Sequence, residues 1–239
     1  MNVMKIEIWS DFLCPFCYIG KRKLEMALAQ LPFIKDPEIV YKSFELNPEA
    51  SLFNGTKIEV ELAAKYGMSI DQARQNNQQI KQVAAEVGLA FDFEAMKPTN
   101  SLAAHRLAKY AKTTAFETEF VEALYQAYFE EGQLISDAEV LSAIAVEAGL
   151  DKVAVQEVLA DDSRYLAEVR QDENEAYQFG ISSVPYFVLD QKFAIQGAQP
   201  MEIFIKALTD VWAEGNATDS IQQQSDMMCD ETGCEIKKS

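Results

Sequence analysis

Ser10-Asp11-Phe12-Leu13-Cys14-Pro15-Phe16-Cys17-Tyr18-Ile19-Gly20 is the stretch whose reading decides the fold. Before it, Val3 to Trp9 alternates apolar and polar side chains as a half-buried strand does. After it, Leu24, Met26 and Leu28 recur at helical spacing. The two cysteines therefore sit at a strand-to-helix corner. The first turn of a helix leaves backbone N–H groups unpaired, and their summed dipole favours an anion, so a thiolate at Cys14 is stabilised there. Pro15 suits the first helical position, where its missing N–H would have had no partner. Cys17 lies one turn further in, placed to attack a mixed disulfide formed on Cys14. That pattern is dithiol–disulfide chemistry. Two rival readings of the pair are half of a zinc site and two buried structural thiols. The first wants a second close Cys or His pair, and the chain has one histidine.

The 239 residues are long for one ordinary domain and short for two. With 49% hydrophobic residues they can bury a substantial core, so an inserted subdomain is expected. The formal net charge is −17 and the pI about 4.5. So acidic a surface repels phosphate backbones and anionic headgroups, which argues against nucleic-acid or membrane-surface partners. No apolar run reaches spanning length. The N-terminus enters a strand at once, without a basic segment, an apolar stretch and a cleavage site, so a cytoplasmic location is expected. A reducing compartment makes a Cys-x-x-Cys catalytic rather than a structural staple.

In order, the pattern predicts a strand over Val3–Ser10, a helix from Cys17 to about Gln30 and a strand over Ile39–Leu46 closed by Asn47-Pro48. This is a β-α-β unit with the cysteines at the carboxyl end of its first strand, where open sheets place their chemistry. From Thr56 to Phe179 helix punctuation recurs instead. Thr56 with Glu59, Ser69 with Gln72 and Ser136 with Glu139 have capping-box spacing, and Gly67, Gly88, Gly132 and Gly149 stand at helix ends. Helices are predicted over 57–66, 70–87, 101–112, 116–131, 137–148 and 152–178, the last broken near Asp161-Asp162. A hairpin of Pro185–Leu189 and Lys192–Gln196 follows, then a helix from Pro200 to about Ala213. The expected organisation is an α/β domain from residues 1–50 and 180–214, a helical insertion over 51–179, and a mobile tail over 215–239 carrying Cys229 and Cys234.

This order, with Phe44-Glu45-Leu46-Asn47-Pro48, Ala104-His105-Arg106-Leu107, Gly180-Ile181-Ser182-Ser183-Val184-Pro185-Tyr186-Phe187-Val188 and Gly197-Ala198-Gln199-Pro200, resembles the DsbA-like thioredoxin superfamily and its cytoplasmic FrnE branch. The resemblance implies a thiol-disulfide oxidoreductase or isomerase with Cys14 as nucleophile and Cys17 as resolving thiol. It also implies a cis Val184–Pro185 bond facing them, where an extended substrate pairs as an added strand would. With Pro15 and Phe16 these residues make up the substrate contact. Strongly oxidising relatives carry histidine where Phe16 stands. Phenylalanine offers no charge or hydrogen bond, so any support for the thiolate comes from the helix terminus, and the expected direction is reduction or isomerisation. Disulfide- or thiol-bearing proteins and small thiols are the expected partners. No cofactor is called for, with glutathione compatible as a redox partner.

His105 reads in two ways: a hydrogen-bonded structural histidine between insertion and thioredoxin fold, or a proton exchanger for Cys17. Cys229 and Cys234 flank a turn that would bring them within disulfide reach, as a redox relay or a regulatory pair, with an idle or metal-binding pair as the alternative. Two rival functions stand beside the main one. The kappa-class glutathione transferases and hydroxychromene-carboxylate isomerases share the scaffold but usually carry serine in place of the first cysteine. A structural zinc site would take Cys14, Cys17, Cys229 and Cys234.

Overall fold

The computed structural model describes the backbone of residues 3–225, 227–230 and 233–236, and side chains through residue 216. Strand β1 (Lys5–Ser10) leads through the cysteine corner into helix α1 (Pro15–Ala29) and returns as β2 (Glu38–Ser43). Helices α2 (Ile58–Tyr66), α3 (Ile70–Glu86), α4 (Leu102–Ala111), α5 (Glu117–Phe129), α6 (Ala138–Glu147), α7 (Lys152–Ala160) and α8 (Leu166–Gln178) follow. The chain then closes its sheet with β3 (Tyr186–Leu189) and β4 (Phe193–Gln196) before α9 (Met201–Ser225). The sheet order is β2-β1-β3-β4, with β1 parallel to β2 and antiparallel to β3. This is the thioredoxin-like arrangement with a helical insertion between β2 and β3.

The period of two along β1 sorts its two faces. Ile8 lies opposite Phe187, whose ring meets Phe204 of α9 edge-on at 5.0 Å, so this face is covered by α9 and by α1, which packs against it. Glu7 and Trp9 point the other way, toward α8. Trp9 Nε1 donates to the Asp172 carbonyl at 3.1 Å, and the Lys42 ammonium lies 5.5 Å over the Trp9 ring. Charged groups buried on this side are paired, as burial requires. Lys109 of α4 forms an ion pair with Asp172 of α8 and donates to the Tyr41 carbonyl at 3.0 Å, while Asp172 accepts the Ser43 N–H at 2.8 Å. The insertion is thereby tied to β2 immediately before the segment that borders the cysteines.

A second tie runs from α1 to α5. Tyr18 stacks on Tyr125 at 5.0 Å and donates its hydroxyl to Glu122 at 2.8 Å, and Arg22 reaches the same carboxylate at 2.5 Å. Gly20 lets α1 approach the sheet: a Cβ there would come within 3.0 Å of Phe187 on β3 and 3.1 Å of Pro185.

Three local details differ from the sequence reading. Ser69 and Gln72 form both bonds of the capping box, but Thr56 does not cap α2, whose first turn begins after Lys57 without a side-chain cap. Asp137, not Ser136, caps α6 by accepting from Glu139 and Val140, since its carboxylate stands one residue closer to the open donors. The last helix passes Ala213 and runs to Ser225. One glycine, Gly215, costs about 1 kcal/mol relative to alanine, which does not stop a helix among formers such as Ala213, Glu214 and Ala217. Beyond it, β5 (Met227–Asp230) and β6 (Gly233–Ile236) pair antiparallel with Cys229 opposite Cys234. The side chains of that pair lie outside the described residues. No helix among the described residues is long and apolar enough to cross a membrane.

Candidate active site

The corner is built by backbone geometry. Cys14 is the residue capping α1, in extended conformation (φ −94°, ψ 112°), and Pro15 opens the helix. The Cys14 N–H donates to the Asp11 carbonyl at 3.1 Å, and the Cys17 N–H donates to the Cys14 carbonyl at 3.0 Å. Cys14 thus stands at the N-terminal end of α1, the positive end of the helix dipole. Both cysteines are free and buried, 4% and 2% exposed. Burial pushes the Cys17 thiol well above its usual value, and neighbouring Cys14 and the Asp11 charge raise it further.

The Val184–Pro185 bond is cis, and the Cys14 Sγ donates to the Val184 carbonyl at 3.7 Å. Pro185 borders Gly20 across the same gap. On the opposite side of Cys14 lies a cleft of about 490 Å³ whose lining includes Pro15, Phe16, Leu46, Leu62, Ile80 and Met96. Phe16 is 42% exposed at its edge. Cys14, Cys17, Val184 and Pro185 are therefore together, with Pro15 and Phe16 at the entrance.

His105, on α4, is buried 2% exposed at the contact of the insertion with the cysteine corner. Its ring lies 4.8 Å from that of Phe12, and its Nε2 is 3.6 Å from Asp11 Oδ1, too long for a hydrogen bond and without another partner. Asp11 is the residue the sequence reading quoted without giving a role. Its carboxylate accepts the Leu13 N–H at 3.1 Å and the Leu46 N–H at 2.7 Å, so it fastens the corner to the segment after β2. Burial alone would raise its pKa, but His105 and these two donors outweigh burial and hold it below the ordinary carboxylate value. An Asp two residues before an unpaired N–H is the Asx-turn signal, legible in Asp11-Phe12-Leu13. Glu45 completes the buried group. One of its oxygens meets Arg170 at 2.6 Å, and the other has no partner, and burial raises its pKa despite Arg170 and His105. No group of three or more His, Cys, Asp or Glu among the described residues is arranged to hold a metal ion.

Three comparisons bear on this arrangement. The model of the family described as the DSBA-like thioredoxin domain matches residues 5–209. A Bacillus subtilis (strain 168) protein described as the uncharacterized protein YwbO is 30% identical over 213 residues, covering 86% of this chain and 96% of its own. Among solved structures, a probable DsbA oxidoreductase from Streptomyces coelicolor is 37% identical with a TM-score of 0.84, covering 98% of this chain and 100% of its own. The cytosolic disulfide reductase DsbM from Pseudomonas aeruginosa superposes with a TM-score of 0.58 at 15% identity, over 91% of this chain and 99% of its own, a likeness of fold alone.

Proposed function

Because the chain belongs to the DSBA-like thioredoxin family, we propose that it is a thiol-disulfide oxidoreductase whose Cys14 attacks and whose Cys17 resolves. The observation that carries this reading is the placement of Cys14 at the cap of α1, 3.7 Å from the Val184 carbonyl, with a buried second thiol one turn behind it. The Cys14 thiolate bonds to one sulfur of a substrate disulfide, the substrate S–S bond breaks, and the departing thiolate takes a proton. Cys17, deprotonated, then attacks the Cys14 sulfur. A Cys14–Cys17 disulfide forms and the second substrate thiol is released, two electrons having passed from the dithiol to the substrate. When a thiol of the substrate resolves the intermediate instead, the outcome is isomerisation. No cofactor enters; a small thiol such as glutathione restores the dithiol. The backbone at the cis Val184–Pro185 bond supplies a place for a polypeptide substrate to pair.

With Phe16 in the spacer we place the chain on the reducing side, in a reducing, cytosolic compartment, the direction named for the Pseudomonas aeruginosa protein. Equilibration of Cys14 and Cys17 in a glutathione series should give a midpoint below about −200 mV. A midpoint near about −120 mV, that of a strong oxidant, would reverse the direction.

The raised Cys17 thiol makes release a pH-dependent step. Only its thiolate attacks, so below its pKa the release rate should rise about tenfold per pH unit. We assign the proton from Cys17 to His105, with Asp11, Glu45 and the Tyr125 hydroxyl, 3.5 Å from the Asp11 carbonyl, as the remaining titratable groups facing it. His105→Gln should slow release about a hundredfold at pH 7 and leave capture by Cys14 unaltered in single-turnover quench experiments. Release by His105→Gln at the parental rate throughout pH 6 to 8 would leave His105 as packing only.

Cys229 and Cys234 stand directly opposite in an antiparallel pair, a Cα separation of about 5 Å that suits a disulfide. We assign them the relay that returns electrons to the Cys14–Cys17 disulfide. The double variant Cys229→Ser, Cys234→Ser should slow multiple turnover several-fold while single-turnover capture is retained; parental multiple turnover would remove the relay.

A further inference from the structure

The cleft beside Cys14 has a chemistry distinct from the backbone platform at Val184. Neither Val184 nor Pro185 lines it. Its walls come from the cysteine corner, the segment after β2, the α2–α3 hairpin, the segment leading into α4 and the end of α5. Hydrocarbon from Leu13, Leu46, Leu62, Ile80, Phe93 and Met96 makes up most of the exposed lining, beside uncharged polar side chains such as Asn47, Asn76 and Asn77. Leu46 is 40% exposed and Tyr66, at the α2 end, 60%, so apolar surface is open to a ligand at the rim.

Among the described residues, the only charged side chains lining it are Asp11, Glu61 and Lys65. Asp11 is engaged by the Leu13 and Leu46 N–H groups, and Glu61 and Lys65 stand one helical turn apart with opposite signs. A thiol carrying two carboxylates meets a single cation in the cleft and a chain of net charge −17 around it. An uncharged hydrocarbon meets side chains it can displace water from. The volume, about 490 Å³, is that of a small-molecule site.

We propose that this cleft binds the apolar substituent of a low-molecular-weight disulfide, so that uncharged organic disulfides are the preferred substrates of Cys14. The inference rests on the thiol-exchange reading and names its substrate class. With the hydrocarbon in the cleft, its sulfur lies at the mouth beside Cys14. The Cys14 sulfur bonds to it, the substrate S–S bond breaks, and the other half leaves as a thiolate that takes a proton from water. Cys17 then attacks Cys14, releasing the hydrocarbon thiol; the dithiol is oxidised to a disulfide as the substrate is reduced to two thiols. An external dithiol, dithiothreitol in the assay, returns the enzyme to its reduced form.

The test is a series of bis(2-hydroxyethyl), diethyl, dipropyl and dibutyl disulfides with oxidised glutathione, turned over by the full chain. The expected kcat/KM rises about fourfold for each methylene buried, and oxidised glutathione is slower than dibutyl disulfide. Ile80→Trp, which fills the cleft, and Leu62→Asn, which makes its wall polar without adding bulk, should each flatten the series to less than twofold per methylene. A flat series in the parent, oxidised glutathione as the fastest substrate, or a slope that survives both variants overturns the inference. So does a flat series accompanied by competition from an unfolded apolar polypeptide, which would assign the cleft to protein chains. All of these leave the exchange chemistry standing if Cys14→Ser is inactive on bis(2-hydroxyethyl) disulfide. Turnover by Cys14→Ser at the parental rate overturns both readings.

Discussion

Replacing Cys17 with serine should convert the protein into a trap. Cys14 keeps its place at the cap of α1, so it still attacks a disulfide and forms the mixed intermediate. The thiol that would release it is gone. In the parent, Cys17 is held one turn away, and an attacking group fixed so close acts at an effective concentration far above that of millimolar external thiol. The adduct should therefore persist about a thousandfold longer than in the parent, and multiple turnover should fall to the slow rate set by external thiol. Intact mass after brief exposure to bis(2-hydroxyethyl) disulfide reads this directly: the variant carries one substrate half, while the parent shows the mass of an internal disulfide. A serine hydroxyl fits the volume of the buried thiol closely, so the effect is chemical. An adduct that vanished at the parental rate would show that another group resolves Cys14.

The second large effect falls on stability. Asp172→Leu should cost about 3–5 kcal/mol in denaturant unfolding, because it removes one half of a buried ion pair. Asp172 and Lys109 are both nearly inaccessible, and burial already lowers the pKa of the Lys109 amine although Asp172 opposes the shift. Without the carboxylate, an ammonium remains in the interior, and the Ser43 N–H loses its acceptor as well. Lys206→Ala is the control, since its partner Asp210 and the lysine itself are largely exposed on α9 and water screens the pair; stability should hardly move. A loss for Asp172→Leu no greater than for the control would mean that the insertion is held to β2 by apolar packing alone.

Much of this architecture is legible along the chain because local rules and tertiary packing agree. Pro15 after Cys14 marks the first turn of α1, Asp161-Asp162 marks the break between α7 and α8, and the Ser69–Gln72 box opens α3. Thr56 and Ser136 show the limit of spacing rules: Asp137 stands one residue closer than Ser136 to the open donors of α6, and α2 begins after Lys57, one residue past Thr56, with no side-chain cap. The extent of α9 escaped because its last turns carry no apolar stripe, so only backbone propensity supports them.

The candidate site divides in the same way. Cys14, Cys17 and the Val184–Pro185 pair announce themselves in short motifs. The buried group beneath them does not, because Asp11, Glu45 and His105 belong to three elements and meet only when α4 closes on the corner. The Asx turn within Asp11-Phe12-Leu13 was readable, but the second acceptor contact to Leu46 and the ring of His105 were not. The cleft is a product of the α2–α3 hairpin folding over Cys14, and no spacing in that hairpin encodes a ligand.

Peptide mapping of the Cys17→Ser adduct tests the central claim most directly. The substrate half should be found on Cys14, within the peptide that joins β1 to α1, in close to one equivalent per chain. Its appearance on Cys229 or Cys234 instead, with Cys14 still free to react with iodoacetamide, would contradict the assignment of Cys14 as the nucleophile.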